Sequence, residues 1–120
     1  MDVRLKRAYE RPDPADGSRV LVDRVWPRGR SRQALELAAW ERDVAPSNEL
    51  RRWFGHDPAR WDEFQARYRE ELRAPERRAA LDRLARLAAD GRLTLVYGAA
   101  DEEHNQAVVV RDALLGAGRQ

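Results

Sequence analysis

The sequence predicts one α/β domain, residues 1–120, built around a small, mainly parallel sheet of about four strands flanked by helices. Segments with strand and helix patterns alternate along the chain, and most connections between them are short, which is typical of this architecture. The two most apolar short runs, residues 20–22 and 93–97, suit central parallel strands that are covered on both faces. A chain of 120 residues is long enough to bury one modest core.

The first two strands come early in the chain. Residues 3–7 alternate weakly between apolar and basic side chains and predict an edge-like strand, which a loop rich in proline and Asp-Gly turn signals follows. Residues 20–22 predict the second strand. Pro27 closes it, because proline cannot donate a hydrogen bond to a neighbouring strand.

A short helical turn and a third strand are expected next. Ser31 is placed to cap a turn over residues 32–36. The apolar-rich segment 37–44 predicts a strand, although its composition suits a helix equally well because it contains Ala38, Ala39 and Glu41.

Helices dominate the second half of the chain. Ser47 is placed to cap a short helix that runs through Phe54, and Gly55 ends it. Asp57 and Pro58 then start a longer helix, since an acidic cap followed by proline is a strong start signal. The inward face of this helix is predicted to carry Trp61, Phe64, Tyr68 and Leu72.

Another helix, the fourth strand and a final helix complete the prediction. Pro75 opens a helix that Gly91 ends, with Leu81, Leu84 and Leu87 or Ala88 inward. Residues 93–97 predict the fourth strand. A final helix is expected over 104–115, with Ala107, Val108 and Leu114 or Leu115 inward.

Composition narrows the class of protein. The chain has no cysteine, which removes disulfides and thiolate metal sites, and no apolar run long enough for a membrane span or a signal peptide, so we expect a cytoplasmic protein. Of its 23 basic residues only Lys6 is a lysine. Arginine-rich composition is typical of proteins that bind anions through two hydrogen bonds at once, but a GC-rich genome also favours arginine codons. We favour the second interpretation, because most of the arginines lie near acidic residues at helical spacing.

Candidate site residues follow the strands. Because parallel strands present their carboxyl ends at one edge, the loop carrying Asp23 and the loop carrying Asp101 should share a cleft. His104 lies three residues after Asp101, so Asp23, Asp101 and His104 are the candidate acid/base residues. The alternative interpretation is that Asp101 caps the last helix and bonds to His104 there.

Six further residues are candidates for binding a phosphorylated or nucleotide-like ligand, because they offer guanidinium groups, flat aromatic faces and polar loop groups. They are Arg24, Trp26, Arg28, Ser47, Trp53 and Asn105. The alternatives are an ion pair of Arg24 with Asp23 or Glu49, core packing for the tryptophans and an N-cap for Ser47. No cofactor or metal is predicted, since glycine-rich phosphate loops, dinucleotide fingerprints and metal-ligand spacings are missing from the sequence.

Two other classes of function compete with a small-molecule pocket, and whether the protein is an enzyme is left open. One is a nucleic-acid-binding module that uses Arg28, Arg30, Arg32 and the Arg51-Arg52 pair. The other is an interaction protein without a small-molecule site.

Three blocks of sequence carry a family resemblance. They read Arg-Val-Leu-Val-Asp-Arg-Val-Trp-Pro-Arg-Gly at 19–29, Ala-Pro-Ser-Asn-Glu-Leu-Arg-Arg-Trp-Phe-Gly-His-Asp-Pro at 45–58 and Leu-Val-Tyr-Gly-Ala-Ala-Asp-Glu-Glu-His-Asn-Gln-Ala at 95–107. Together they resemble the YeaO-like branch of the domain-of-unknown-function family 488. The resemblance implies a small cytosolic α/β protein of bacteria or archaea and brings no established activity. Where the family's third block usually has Tyr-Ala-Ala-Lys-Asp, this chain lacks the basic residue.

Overall fold

A computed structural model describes residues 1–116 and confirms the α/β fold. Four parallel strands form one sheet in the order β1-β4-β2-β3. The strands are β1 Val3–Arg7, β2 Ser18–Leu21, β3 Ala39–Trp40 and β4 Leu93–Tyr97. The helices are α1 Arg32–Leu35, α2 Asn48–Phe54, α3 Trp61–Glu71, α4 Pro75–Asp90 and α5 Gln106–Gly116, and 3-10 turns lie at Pro14–Asp16, Arg42–Val44 and Pro58–Arg60. None of the helices described is long and apolar enough to cross a membrane.

The sheet has two unequal sides. Side chains alternate along a strand, so β4, which is buried along its whole length, contributes to both sides. Leu93, Leu95 and Tyr97 face a large core that helices α2 to α5 cover, while Val96 faces a smaller cluster with Leu21 and α1. The expectation of central strands covered on both faces is therefore confirmed for β4 and β2.

The predicted inward stripe of α3 is confirmed. Phe64, Tyr68 and Leu72 are buried, and Trp61 packs against them from a partly buried position. The Tyr68 hydroxyl donates a hydrogen bond to the Val44 carbonyl, which ties this helix to the segment that leads into α2. The longer helix α4 buries Ala80, Leu84 and Ala88, with Leu81 and Leu87 partly buried beside them.

The third strand is much shorter than predicted. Only Ala39 and Trp40 pair with β2, and a 3-10 turn follows from Arg42. As an edge strand, β3 has a single neighbour, and its pairing ends where the Glu41 amide donates to the Leu21 carbonyl. The Trp40 indole donates to the Asp23 carbonyl at 2.7 Å, which fixes β3 against the end of β2.

The last helix starts two residues later than predicted. Asn105 caps it, because its side-chain oxygen accepts from the backbone amides of Ala107 at 2.9 Å and Val108 at 3.3 Å. With this start, Val109 rather than Val108 is buried, and Leu115 is exposed while Leu114 faces the core. The prediction of Val108 as an inward residue was wrong.

The register of the central pair positions the candidate site. Leu21 of β2 pairs with Val96 of β4 in parallel, so Asp23 and Gly98, each two residues further on, leave the sheet side by side. The Val22 amide continues this pairing by donating to the Val96 carbonyl at 3.0 Å. The loops after β2 and β4 therefore meet, as the sequence predicted.

Candidate functional site

A cavity of about 250 Å³ opens at the carboxyl edge of the sheet. The loops after β2 and β4 form one side of it, and α2 with the segment before it forms the other. Its polar lining consists of Asp23, Arg24, Arg51, His56 and Gln106. The cavity lies where α/β proteins usually bind their ligands, at the carboxyl ends of the strands.

Asp23 is held by two donors from the neighbouring loop and helix. Its Oδ2 accepts from the Gly98 amide at 2.8 Å, and its Oδ1 accepts from the side-chain amide of Gln106. Burial raises the pKa of Asp23 to about 6, although these hydrogen bonds and the charge of Arg51 act in the opposite direction. At neutral pH most molecules therefore keep a charged carboxylate in the wall of the cavity.

The residue at position 98 must be small for this contact to form. A Cβ atom on Gly98 would lie 3.0 Å from Asp23 Oδ2, which is tighter than ordinary van der Waals contact. Glycine therefore lets the loop after β4 approach the carboxylate closely.

Two arginines of the cavity make only weak contacts within the chain. The Arg24 Nε lies 3.5 Å from the Pro46 carbonyl oxygen, and an Arg51 terminal nitrogen lies 3.4 Å from the Asn48 side-chain oxygen. Over residues 1–116 neither guanidinium forms a salt bridge. The ion pair of Arg24 with Asp23 or Glu49, considered as an alternative, is thus not formed, and both positive charges remain available to an anion.

Aromatic side chains supply the apolar wall. Phe54 and Phe64 stack with ring centroids 4.3 Å apart, and both line the cavity. Trp26 lines it from the other side, where its indole donates to the Arg30 carbonyl at 2.5 Å and packs edge-on against Trp40. These contacts fix the orientation of Trp26.

The predicted pair of Asp101 and His104 does not line this cavity. Asp101 Oδ1 accepts from the backbone amides of Glu103 and His104, and its Oδ2 lies 2.9 Å from His104 Nδ1. Hydrogen bonds lower the pKa of Asp101. The bond from the Glu103 amide has the larger effect, and the bond from the His104 ring has the next largest. The His104 ring packs edge-on against Trp61. The bond between Asp101 and His104 that the alternative interpretation expects is formed, but it lies in the turn before α5, and Asn105 rather than Asp101 caps that helix.

Two further candidates serve as helix caps. The Ser47 hydroxyl accepts from the Leu50 amide at 3.1 Å and donates to Glu71 at 2.5 Å, so it is occupied at the start of α2. Asn105 is 1% exposed, and besides capping α5 it donates to the Asp101 carbonyl. Neither side chain lines the cavity.

Arg28 and Trp53 also lie outside the cavity lining. Arg28 is exposed, and its backbone carbonyl accepts from the Tyr9 hydroxyl. The Trp53 ring has the guanidinium groups of Arg60 and Arg67 over it, at 5.3 and 4.4 Å from the ring centroid. Trp53 is therefore already engaged in cation–π contacts within the chain.

The predicted site did not include several of the lining residues, among them Arg51, Phe54, Phe64, Gly98, Gln106 and His56. Gln106 and Gly98 reach Asp23 only because β2 and β4 are neighbours with this register, which no local pattern indicates. His56 lies between α2 and the 3-10 turn at Pro58–Arg60 with a φ of 57°, and its side chain reaches the cavity. The described residues contain no group of three or more histidine and carboxylate side chains that could hold a metal ion.

Comparison with known proteins identifies the family of this chain. The model described as the inactive DUF488-N3 subclade matches residues 2–120. The chain is similar to the uncharacterized protein Rv3073c of Mycobacterium tuberculosis, with 44% identity over 114 residues that cover 95% of this chain and 94% of the relative. It is also similar to the uncharacterized protein YeaO of Escherichia coli, with 38% identity over 114 residues that cover 95% of this chain and 97% of the relative. No solved structure gives a significant match.

Proposed function

The chain belongs to the inactive DUF488-N3 subclade, and we propose that it binds a small, flat, anionic ligand of the nucleotide class in the cavity beside Asp23. The observation that carries the proposal is the combination of a partly buried carboxylate with two guanidinium groups that form no ion pair within residues 1–116, all in one cavity with an aromatic wall. Few classes of ligand carry hydrogen-bond donors for the carboxylate, negative charge for the guanidinium groups and a flat ring for the aromatic wall.

The arginines suit the anionic part of such a ligand. A guanidinium group offers a planar set of donors that can bind two oxygens of a phosphate at once. Arg24 comes from the loop after β2 and Arg51 from α2, so a phosphate between them would be held from two sides.

The cavity size suits one nucleotide unit. At about 250 Å³ the cavity is slightly smaller than the roughly 300–1,000 Å³ typical of sites for drug-sized ligands. It therefore favours a mononucleotide or a smaller molecule over a dinucleotide. Trp26 offers apolar surface to the flat ring, and the buried pair of Phe54 and Phe64 makes the lining beside it apolar.

Binding without a chemical step is the form of function we propose. The candidate acid/base pair of Asp101 and His104 lies outside the cavity lining, and among residues 1–116 no second carboxylate lines the cavity beside Asp23. The description of the family as an inactive subclade supports the same conclusion.

The alternative function, binding of nucleic acid on an arginine and tryptophan surface, is less well supported than the cavity. Trp53 is occupied by two arginines of its own chain, so stacking on a base would require these contacts to be displaced. Arg30 donates through Nε to the Ala8 carbonyl at 3.1 Å, so its guanidinium group is tied to the segment that follows β1.

Calorimetric titration with a panel of mononucleotides tests the proposal. We expect Arg51→Ala to weaken binding about 10- to 150-fold, because a hydrogen bond to a charged group contributes about 1.5–3 kcal/mol. Arg52→Ala is the matched control, since Arg52 is also an exposed arginine of the same helix but does not line the cavity. Equal losses in the two variants, or no binding of any mononucleotide to the unmodified protein, would overturn the proposal.

A further inference from the structure

Resting on the proposed function, we propose that the flat part of the ligand is a 2-amino-4-oxopyrimidine ring, the hydrogen-bonding edge that guanine and pterins share, and that Asp23 recognises it. This edge carries two adjacent N–H donors, the ring N–H and the exocyclic amino group. A carboxylate with one free acceptor position on each oxygen is its complement.

Counting the acceptor positions of Asp23 leads to this ring. An ionised carboxylate has two oxygens with about four lone-pair positions. Within the chain, Oδ2 accepts one hydrogen bond from the Gly98 amide and Oδ1 accepts one from Gln106. One position on each oxygen is left, and Asp23 lines the cavity. A ligand with two parallel N–H donors would satisfy both oxygens at once.

The positive charges of Arg24 and Arg51 favour a ligand whose two N–H donors belong to a neutral group. A guanidinium or amidinium ligand would also present two parallel donors, but it would carry its positive charge towards Arg24 and Arg51. Neither arginine is neutralised by an ion pair in the described part of the chain, so a cationic ligand would be repelled. A neutral 2-amino-4-oxopyrimidine ring with an attached phosphate or carboxylate gives donors to Asp23 and negative charge to the arginines.

Other purines fit this arrangement less well. Hypoxanthine has the ring N–H but lacks the amino group, so one oxygen of Asp23 would stay unpaired. Adenine presents a ring nitrogen lone pair, and xanthine a carbonyl oxygen, next to the carboxylate. Leaving a buried polar group unpaired is the strongest basis for discrimination by a binding site.

The variant Asp23→Asn should change this preference in a defined direction. The Gly98 amide is a fixed donor, so the Asn oxygen is expected to stay beside it and the amino group to point towards Gln106. Gln106 can turn its side chain so that its oxygen accepts. The cavity then offers one acceptor and one donor, which complement the N–H and carbonyl groups of xanthine rather than the two donors of guanine.

Calorimetric titration of the unmodified protein and of Asp23→Asn with GMP, IMP, XMP, AMP and pterin-6-carboxylate tests the assignment. For the unmodified protein we expect GMP to bind about tenfold or more tightly than IMP, AMP and XMP. For Asp23→Asn we expect XMP to bind more tightly than GMP. Tighter binding of pterin-6-carboxylate than of GMP would identify a pterin as the source of the ring, and the reverse would identify guanine.

The possible failures are distinguishable. If GMP and AMP bind equally to the unmodified protein and Arg51→Ala weakens both, the ring assignment is wrong while the nucleotide pocket stands. If no mononucleotide binds, the nucleotide proposal is wrong, and if pterin-6-carboxylate does not bind either, the ring assignment is wrong as well. Should Asp23→Asn fail to fold, the ranking of GMP against AMP and IMP on the unmodified protein still decides the assignment.

Discussion

At the scale of single residues, the properties of the cavity depend on Asp23. Its backbone position follows from the sequence, because the strand of residues 20–22 has to end before Pro27 and leaves Asp23 at the carboxyl edge. Its partners do not follow from the sequence. Gly98 and Gln106 lie 75 and 83 residues away, and only the pairing of β2 with β4 brings them to the carboxylate.

The raised pKa of Asp23 predicts a dependence of stability on pH. Between pH 4 and 6 the folded protein holds a proton on Asp23 that the unfolded chain, with a pKa of 3.8, has released. The contribution of this group to the free energy of unfolding therefore falls as pH rises through this window, by about 3 kcal/mol in total. Asp23→Asn should remove this dependence and be more stable than the unmodified protein at pH 7.5.

Urea denaturation of both proteins at pH 5 and pH 7.5 measures this effect. The difference in unfolding free energy between the variant and the unmodified protein should be larger at pH 7.5 than at pH 5. An identical difference at both pH values would contradict the burial of a charged carboxylate at this position.

The close approach at position 98 gives a second prediction at this scale. Gly98→Ala places a methyl group against Asp23 Oδ2, so we expect the carboxylate to move and mononucleotide binding to weaken. The loss of stability should be about 1–3 kcal/mol, as for other overpacked positions. Gly91→Ala is the control, because no atom lies within 4 Å of the added methyl group and its φ of 162° is extended backbone that alanine adopts. Comparable binding losses in the two variants, measured by calorimetry, would argue against a specific contact at position 98.

At the scale of elements, local signals placed most helices and strands correctly. The caps Ser31 and Ser47 lie where their helices start, and Leu93–Tyr97 matches the predicted fourth strand. One error falls where a distant contact decides the boundary, because β3 is limited to two residues that pair with β2. The other error concerns a local cap, because α5 starts after Asn105, whose side chain accepts from the Ala107 amide, and not at the acidic residues before it.

The cap of α5 gives a prediction at the element scale. Asn105→Ala removes the acceptor for the Ala107 amide and the donor to the Asp101 carbonyl, so it should destabilise the protein by about 0.5–2 kcal/mol. Because Gln106 is the first residue of α5 and bonds to Asp23, mononucleotide binding should weaken as well.

Ser31→Ala is the control for the α5 cap. It removes the cap of α1, which does not contribute to the cavity, so denaturation should report a loss of stability while calorimetry reports unchanged affinity. If Asn105→Ala also leaves the affinity unchanged, the start of α5 has no part in the site.

At the scale of the whole molecule, the arginines differ in whether they have an acidic partner. In the described part of the chain, nine of them form salt bridges, for example Arg78 with Asp82 within α4 and Arg92 with Asp2 beside the amino ends of β4 and β1. Arg24 and Arg51, at the carboxyl edge, have no such partner within residues 1–116. The composition alone could not separate these groups, because pairing depends on which helix faces which loop.

The most direct test of the central claim, that the cavity beside Asp23 binds a nucleotide-class ligand, is a two-dimensional ¹H–¹⁵N NMR titration of the labelled protein with GMP. We expect the Gly98 backbone amide and the Gln106 side-chain amide to shift most, because both donate to the carboxylate that would receive the ligand. The amides around Asp101 and the indole of Trp53 should change little. Shifts that are concentrated at Trp53 and Arg28, with Gly98 and Gln106 unaffected, would contradict the account and support an exposed nucleic-acid surface instead.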